Sequence, residues 1–434
     1  MFTRKFGFIV LAVVVAIVGA LAGLYYAGSR MDADHAAAKP SADAEASVSQ
    51  PNPQARLEQG RYLATLGNCV SCHTVQGGRP YAGGTPIVTD FGTLYGPNIT
   101  PHPEAGIGAW SSDDFWRALH NGRAPDGSYL YPAFPFTEYT RMSRDDSDAL
   151  YAYLMSLEPE ATPSRAHTLR FPYDQRALLP FWRGLYFNAG TYTEDPQQDE
   201  RWNRGRYLVE GPGHCAACHT PRNRLGASIA SEQLGGGMID SLQWWAPALT
   251  AHPQAGLGRW EEADIVDLLR TGSSARSTAS GPMREVVSAS LQHLRDDDAQ
   301  AIAHYLKSLP DTPARDAGRA DPVDAGTMQV GSQLYTQYCV ACHQAGGEGK
   351  PPAWPPLAGN VTVTAPSPRN TIRMILEGGY AAATQHDPQP HGMPPFAQVL
   401  SENDVAALAT YIRNSWGNEA GPVNSLAVKR AKGG

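Results

Sequence analysis

One pentad, used three times, constrains this chain more than anything else in it. The copies are Cys69-Val70-Ser71-Cys72-His73, Cys215-Ala216-Ala217-Cys218-His219 and Cys339-Val340-Ala341-Cys342-His343. They consume all 6 cysteines, so none is left for a disulfide. Two thiols three positions apart on one helical turn can form thioethers to the two vinyl groups of a haem. The histidine that follows then stands beneath the iron as its proximal ligand. The reading is therefore three covalent haems c, with His73, His219 and His343 as iron ligands. A zinc site takes four ligands, usually from two such pairs, and a thioredoxin-like dithiol sits in a βαβ context. Three pairs, each with its own histidine, fit neither.

The pentads belong to an internal repeat. Gly60-Arg61-Tyr62-Leu63 precedes the first and Gly205-Arg206-Tyr207-Leu208 the second, while the third unit opens near Gly331. Downstream, Asn98-Ile99-Thr100-Pro101-His102-Pro103 echoes Ala248-Leu249-Thr250-Ala251-His252-Pro253, and Trp110 echoes Trp260. Each unit closes on the same pattern, Ser143 to Leu154, Arg295 to Leu306 and Ser401 to Ile412: an acidic, capping-type opening, then an apolar stripe at helical spacing. The fold class expected is mainly α, three tandem class-I cytochrome c-like domains after an N-terminal transmembrane helix.

The sixth iron ligand is usually Met or His. Gly392-Met393-Pro394 and Gly281-Pro282-Met283 place a methionine in Gly/Pro-rich sequence, an unusual setting for a core residue, so Met393 and Met283 are the candidates in the third and second units. Aligning the first closing helix with the third puts Phe134 where Met393 stands. Phe cannot bind iron, and Met142 is the nearest substitute; Met155, inside the helix, reads as core. A histidine ligand or an open site remain as alternatives there. A proximal histidine generally donates its other N–H to a fixed acceptor. The carbonyls of Pro97, Pro247 and Pro355, each in a Pro-x-Ile/Leu step, are the acceptors expected. His102 and His252 read as loop caps or haem-propionate contacts, Trp110 and Trp260 as haem-pocket or core aromatics, and His304 as structural.

The chain of 434 residues has room for about three domains. A net charge of -7 with 18% charged residues does not point to nucleic acid. Residues 6–28 are an uncharged, mostly apolar run that would be about 34 Å long as a helix, enough to cross a bilayer core of about 30 Å. Arg4 and Lys5 before it predict an uncleaved anchor in the cytoplasmic (inner) membrane with the rest on the periplasmic side. A cleaved signal peptide, ending near Ala27-Gly28-Ser29, is the alternative. The organisation expected is an anchor over 1–28, a flexible stalk over 29–55, domains over 56–160, 201–309 and 324–417, a connector over 161–200, a linker over 310–323, and a disordered tail over 418–434. The aromatic run Phe181 to Phe187 in the connector reads as packing between domains, with a partner or membrane-surface contact as the lesser reading.

From about Leu57 to Trp416 the chain resembles the three-haem cytochrome c subunit of bacterial membrane-bound dehydrogenases, the alcohol, aldehyde, gluconate and sorbitol oxidisers. Tyr81-Ala-Gly-Gly84, Asn98-Ile-Thr-Pro101, Leu130-Tyr-Pro-Ala-Phe-Pro135, Trp202 to Val209, Gly213 to Arg222 and Pro356-Leu-Ala-Gly359 carry the resemblance. It implies a hetero-oligomer with a separate catalytic subunit holding pyrroloquinoline quinone, a flavin or a molybdenum cofactor, and electrons passing through the haems to ubiquinone. Phe134 and the anchor lean toward aldehyde-oxidising, molybdenum-type partners. The chain carries neither a Gly-x-Gly-x-x-Gly after a strand nor a nucleophile elbow, so it is not expected to oxidise an organic substrate by itself. The competing readings are a cytochrome feeding a terminal oxidase directly and a haem enzyme such as a peroxidase, which needs an open sixth position.

Overall fold

The structure, a computed structural model, describes residues 2–30, 52–311 and 322–432. Most of the expected stalk and linker lie outside these residues. The chain separates into two compact units. One comprises Met1–Leu63 with Cys72–Thr193, the other Ala64–Ser71 with Glu194–Gly434.

The first unit runs through helix α1 (Phe2–Arg30), most of α2 (Pro53–Leu66) and α3 (Cys69–His73), whose facing ends group with the second unit. An antiparallel hairpin follows, β1 (Pro86–Thr89) with β2 (Gly92–Tyr95), in register from Pro86 opposite Tyr95 to Thr89 opposite Gly92. Then come α4 (Ser112–Asn121), α5 (Phe136–Tyr139) and α6 (Arg144–Met155). β3 (Thr168–Leu169) pairs with β2, and α7 (Leu179–Tyr186) ends the unit. α4 starts on a full capping box: the Ser111 hydroxyl accepts from the Asp114 N–H, and the Asp114 carboxylate accepts from the Ser111 N–H.

The second unit repeats the plan twice. Its first half holds α8 (Glu200–Glu210), α9 (Ala216–His219), the hairpin β4 (Gly237–Ile239) with β5 (Trp244–Ala246), α10 (Glu262–Thr271), α11 (Pro282–Ala289) and α12 (Asp296–Ser308). Its second half holds α13 (Ala325–Tyr338), α14 (Val340–His343), α15 (Val361–Thr364), α16 (Arg369–Glu377), the short pair β6 (Gly379–Tyr380) with β7 (Gly392–Met393), α17 (Glu402–Arg413) and α18 (Ser425–Lys432).

The same joint locks each repeat. In the helix before the pentad one glycine lies against the backbone of the closing helix. A Cβ on Gly60 would fall 2.0 Å from the Ala149 carbonyl oxygen, one on Gly205 2.0 Å from that of Ala301, and one on Gly331 2.4 Å from that of Ala407. The Cβ of Tyr153, Tyr305 or Tyr411 closes the other side of each joint. The repeated Gly and the repeated Ala-x-x-x-Tyr of the closing helices are thus two halves of one contact, where backbones approach too closely for any side chain.

Two expectations are corrected. Among the described residues no helix is long and apolar enough to cross a membrane, so the transmembrane helix, and the inner-membrane, periplasm-facing placement that rested on it, do not stand. Helix α1 does form, but its described side chains cover only Val15–Ser29, about 22 Å of helix against a hydrocarbon core of about 30 Å. The last turn of that stretch is given over to protein packing. Gly28 and Gly184 lie backbone to backbone, the Tyr25 and Phe181 rings are 5.3 Å apart, and the Arg183 Nε donates to the Gly28 carbonyl at 3.2 Å. The aromatic run Phe181 to Phe187 therefore packs within the first unit through Phe181, Trp182, Arg183 and Phe187, while Leu185 and Tyr186 stay exposed; Trp182 and Phe187 also meet Phe136, at 6.4 and 5.0 Å. The second correction concerns the tail. It folds as α18, with Val428 and Ala431 buried in the core of the third repeat beside Ile372, Leu376 and Val405, and Lys432 paired with Glu402.

Candidate haem sites

Each pentad lies on a short helical turn that ends at its histidine: α3, α9 with Cys215 at its cap, and α14 with Cys339 at its cap. None of the 6 cysteines is in a disulfide. Burial pushes the Cys215 thiol up to about 12 and the Cys339 thiol up to about 11, each further raised by its neighbour Cys218 or Cys342. A redox-active dithiol needs a stabilised thiolate, and burial at these two positions works against one.

The three histidines are held alike. The ring Nδ1 of His73 is 2.7 Å from the Pro97 carbonyl oxygen, that of His219 is 2.7 Å from Pro247, and that of His343 is 3.0 Å from Pro355. A carbonyl only accepts, so Nδ1 carries the proton and Nε2 keeps a free lone pair. Burial lowers the pKa of all three rings; the carbonyl bond opposes this more weakly. A neutral imidazole with an oriented Nε2 lone pair is the form that binds a metal. A glycine completes the cradle: the N–H groups of Gly83, Gly236 and Gly349 donate to the carbonyls of His73, His219 and His343. All three glycines have positive φ, at 79°, 80° and 60°.

The third site is the most completely formed. Cys339, Cys342, His343, Pro355 and Met393 line one cavity, so the attachment thiols, the proximal histidine, its acceptor and the candidate sixth ligand meet in one place. Thr278 and Ser280, from the segment that leads into α11, form part of its wall. Nothing in the local sequence of the third repeat signals that contribution. Met283 stands partly buried at the start of α11, three residues beyond Ser280. Met142 is buried, 1% exposed, in the turn between α5 and α6, while Phe134 lies 5.5 Å from Tyr139.

These donors suit a haem. Each site offers two thiols on one helical turn and a neutral imidazole, and the third adds a mostly apolar cavity. Among the described residues no group of three or more His, Cys, Asp or Glu side chains gathers as a metal-ion cluster, so the zinc reading finds no ligand set.

The other residues singled out by the sequence have structural duties. His102 Nδ1 accepts from the N–H groups of Glu104 and Ala105 at 3.2 and 3.0 Å, and His252 Nδ1 does the same for Gln254 and Ala255. Both cap their loops. Asn98, 2% exposed, donates through its amide to the carbonyls of Glu160 and Thr162 and so fastens the chain leaving α6. His304 pairs with Glu262 at 2.9 Å, and the Trp110 carbonyl accepts from Tyr151. Trp260 is a core residue, 2% exposed.

A pentad that ends on a carbonyl-held histidine, set in a helical unit closed by a Gly-to-backbone joint, defines a cytochrome c. The cytochrome c family profile matches residues 57–158, 203–310 and 328–416, and the chain belongs to that family, whose members bind haem c covalently. Within it the chain falls among the cytochrome c subunits of dehydrogenases. It is 37% identical over 404 residues to the cytochrome c subunit of alcohol dehydrogenase (quinone) of Gluconobacter oxydans, covering 89% of this chain and 84% of the relative. It is 39% identical over 389 residues to the gluconate 2-dehydrogenase cytochrome c subunit of Pantoea cypripedii, covering 84% of this chain and 87% of the relative. A nicotinate dehydrogenase subunit of Pseudomonas putida is 43% identical over 383 residues, 87% of this chain, but the chain spans only 32% of that protein.

Proposed function

We propose that this chain is the electron-transfer subunit of a dehydrogenase complex. On this reading it carries three haems c on Cys69/Cys72, Cys215/Cys218 and Cys339/Cys342, takes electrons from a separate catalytic subunit and passes them to ubiquinone. When bound, each haem supplies a one-electron couple. His73, His219 and His343 present Nε2 to the iron, fixed by the carbonyls of Pro97, Pro247 and Pro355. Met142, Met283 and Met393 would supply the second protein ligand, a thioether sulfur, to each iron. The observation that carries the reading is the threefold recurrence of the carbonyl-held histidine after a Cys-x-x-Cys pair that makes no disulfide. A catalytic partner and a quinone acceptor are supported by relatives that are dehydrogenase subunits, one of them named as quinone-linked.

The test is purification of the chain from its source with whatever accompanies it. A pyridine haemochrome assay should give three haems per chain; two would reject the count. Substrate of the co-purifying dehydrogenase should reduce the haems, and added quinone should reoxidise them. A chain that purifies alone, with haems that no accompanying dehydrogenase reduces, would reject the role.

A further inference from the structure

We propose that His391 is a second iron-binding side chain of the third site, standing in reserve behind Met393. The inference rests on the reading of Met393 as sixth ligand and extends it. His391 and Met393 line the same cavity as Cys342 and His343. They are two residues apart in extended chain, where alternate residues share a face, and the residue between them opens β7. That geometry is pinned. A Cβ on Gly392 would meet the Tyr380 ring at 2.5 Å, and one on Gly378 would meet the Met393 carbonyl oxygen at 2.3 Å, so the backbone that carries Met393 is held close against β6, with the exposed His391 at its entry.

His391 is also chemically available. Among the described residues neither of its ring nitrogens is engaged in a hydrogen bond, in contrast to His73, His102, His219, His252 and His343. Its ring packs edge-on against Trp354 at 5.6 Å, and Trp354 adjoins Pro355, the residue that holds the proximal His343. One short wall thus positions both the proximal histidine and the reserve one. The exchange is balanced without any redox step. An iron–sulfur bond to Met393 is replaced by an iron–nitrogen bond to a neutral His391 ring, and no proton or electron is transferred. Imidazole is a harder donor than thioether and favours ferric iron, so the substituted state has the lower potential. One other methionine, Met374, lines the cavity and is the rival for the same role.

The experiment uses the full chain loaded with haem, with haem content per chain as the folding control. Met393→Ala is compared with Met393→Ala/His391→Ala and Met393→Ala/Met374→Leu; a Met393→Leu series, which keeps the side-chain volume, runs in parallel. Expected for Met393→Ala are a six-coordinate third haem, no carbon monoxide binding in the reduced protein, and one of the three potentials lowered. Adding His391→Ala should then open one haem per chain to carbon monoxide, and adding Met374→Leu should not. Carbon monoxide binding by Met393→Ala alone, or opening by Met374→Leu, overturns the proposal. The thioether-to-ferric-iron absorption band reports the underlying reading separately: if Met393→Ala and Met393→Leu leave it at full intensity, Met393 is not the ligand and the reserve role falls with it.

Discussion

Three proline carbonyls fix how the proximal histidines stand. Each accepts from Nδ1 and so settles the tautomer, and the residue supplying it is a proline, whose φ is locked and whose own N–H is absent. With the nitrogen side fixed in this way, the proposed sulfur ligands would set the differences between sites. Met283→His should keep its haem six-coordinate and lower one midpoint potential; a redox titration showing three unchanged couples would remove Met283 from the ligand set. The first site is the sharpest case, because Phe134 stands at the aligned Met position. Met142 is fully buried just ahead of α6. Met142→Ala should give one carbon-monoxide-binding haem in a protein that otherwise binds none, and a spectrum identical to wild type would refute the assignment. At this scale the sequence was readable where chemistry imposes a spacing, as in the pentads. It was silent on Thr278 and Ser280, which reach the third cavity from another repeat, because no local pattern encodes a distant wall.

Among the elements, the joints between first and closing helices explain why Gly60, Gly205 and Gly331 recur. Gly205→Ala places a methyl 2.0 Å from a backbone oxygen, which cannot move aside as a flexible side chain would. Overpacking of this kind costs about 1–3 kcal/mol. Thermal denaturation should show that loss, whereas Gly359→Ala, where nothing lies within 4 Å but φ is +67°, should cost only the smaller strain of a left-handed backbone. Helix α18 makes the opposite kind of joint, apolar and peripheral. Val428→Asp puts a charge at a position that is 0% exposed and should unfold α18 from the third repeat, detected as lost helical signal and a lower melting temperature. The closing helices were legible from their capping residues and 3.6-residue stripes. Helix α18 was not, since its polar composition hides two buried positions, Val428 and Ala431. The hairpins were missed too, because strands of two to four residues are too short to show alternation. The α1 stretch differs for a related reason: apolar composition does not say how much of a helix packs on protein, and here the Tyr25–Gly28 end meets α7 while Val15, Ile17, Val18 and Leu21 stay exposed.

For the molecule as a whole, the segment Thr278–Met283 matters most. It contributes Thr278 and Ser280 to the third cavity and, three residues later, holds Met283, the sulfur proposed for the second haem. Hydrogen bonds hold the surrounding surfaces together: Asn370 pairs with both backbone groups of Trp245, Ser277 donates to Asn360, and Thr384 donates to the Thr271 carbonyl. Gly281, at φ +55°, lets the segment pass the Trp244 ring, which a Cβ would approach to 2.8 Å. Gly281→Ala should therefore move the second and third couples together in a redox titration; a shift confined to one of them would show that the two sites do not share this segment. The same sharing bears on how such chains can be recombined. Exchanging the third repeat alone with that of a relative would leave its cavity facing a foreign wall, so a workable crossover lies ahead of α8, and the segment Glu194–Gly434, with α18 included, is best inherited as one cassette. Calorimetry should agree, with the second and third repeats melting in a single cooperative transition rather than as two independent beads.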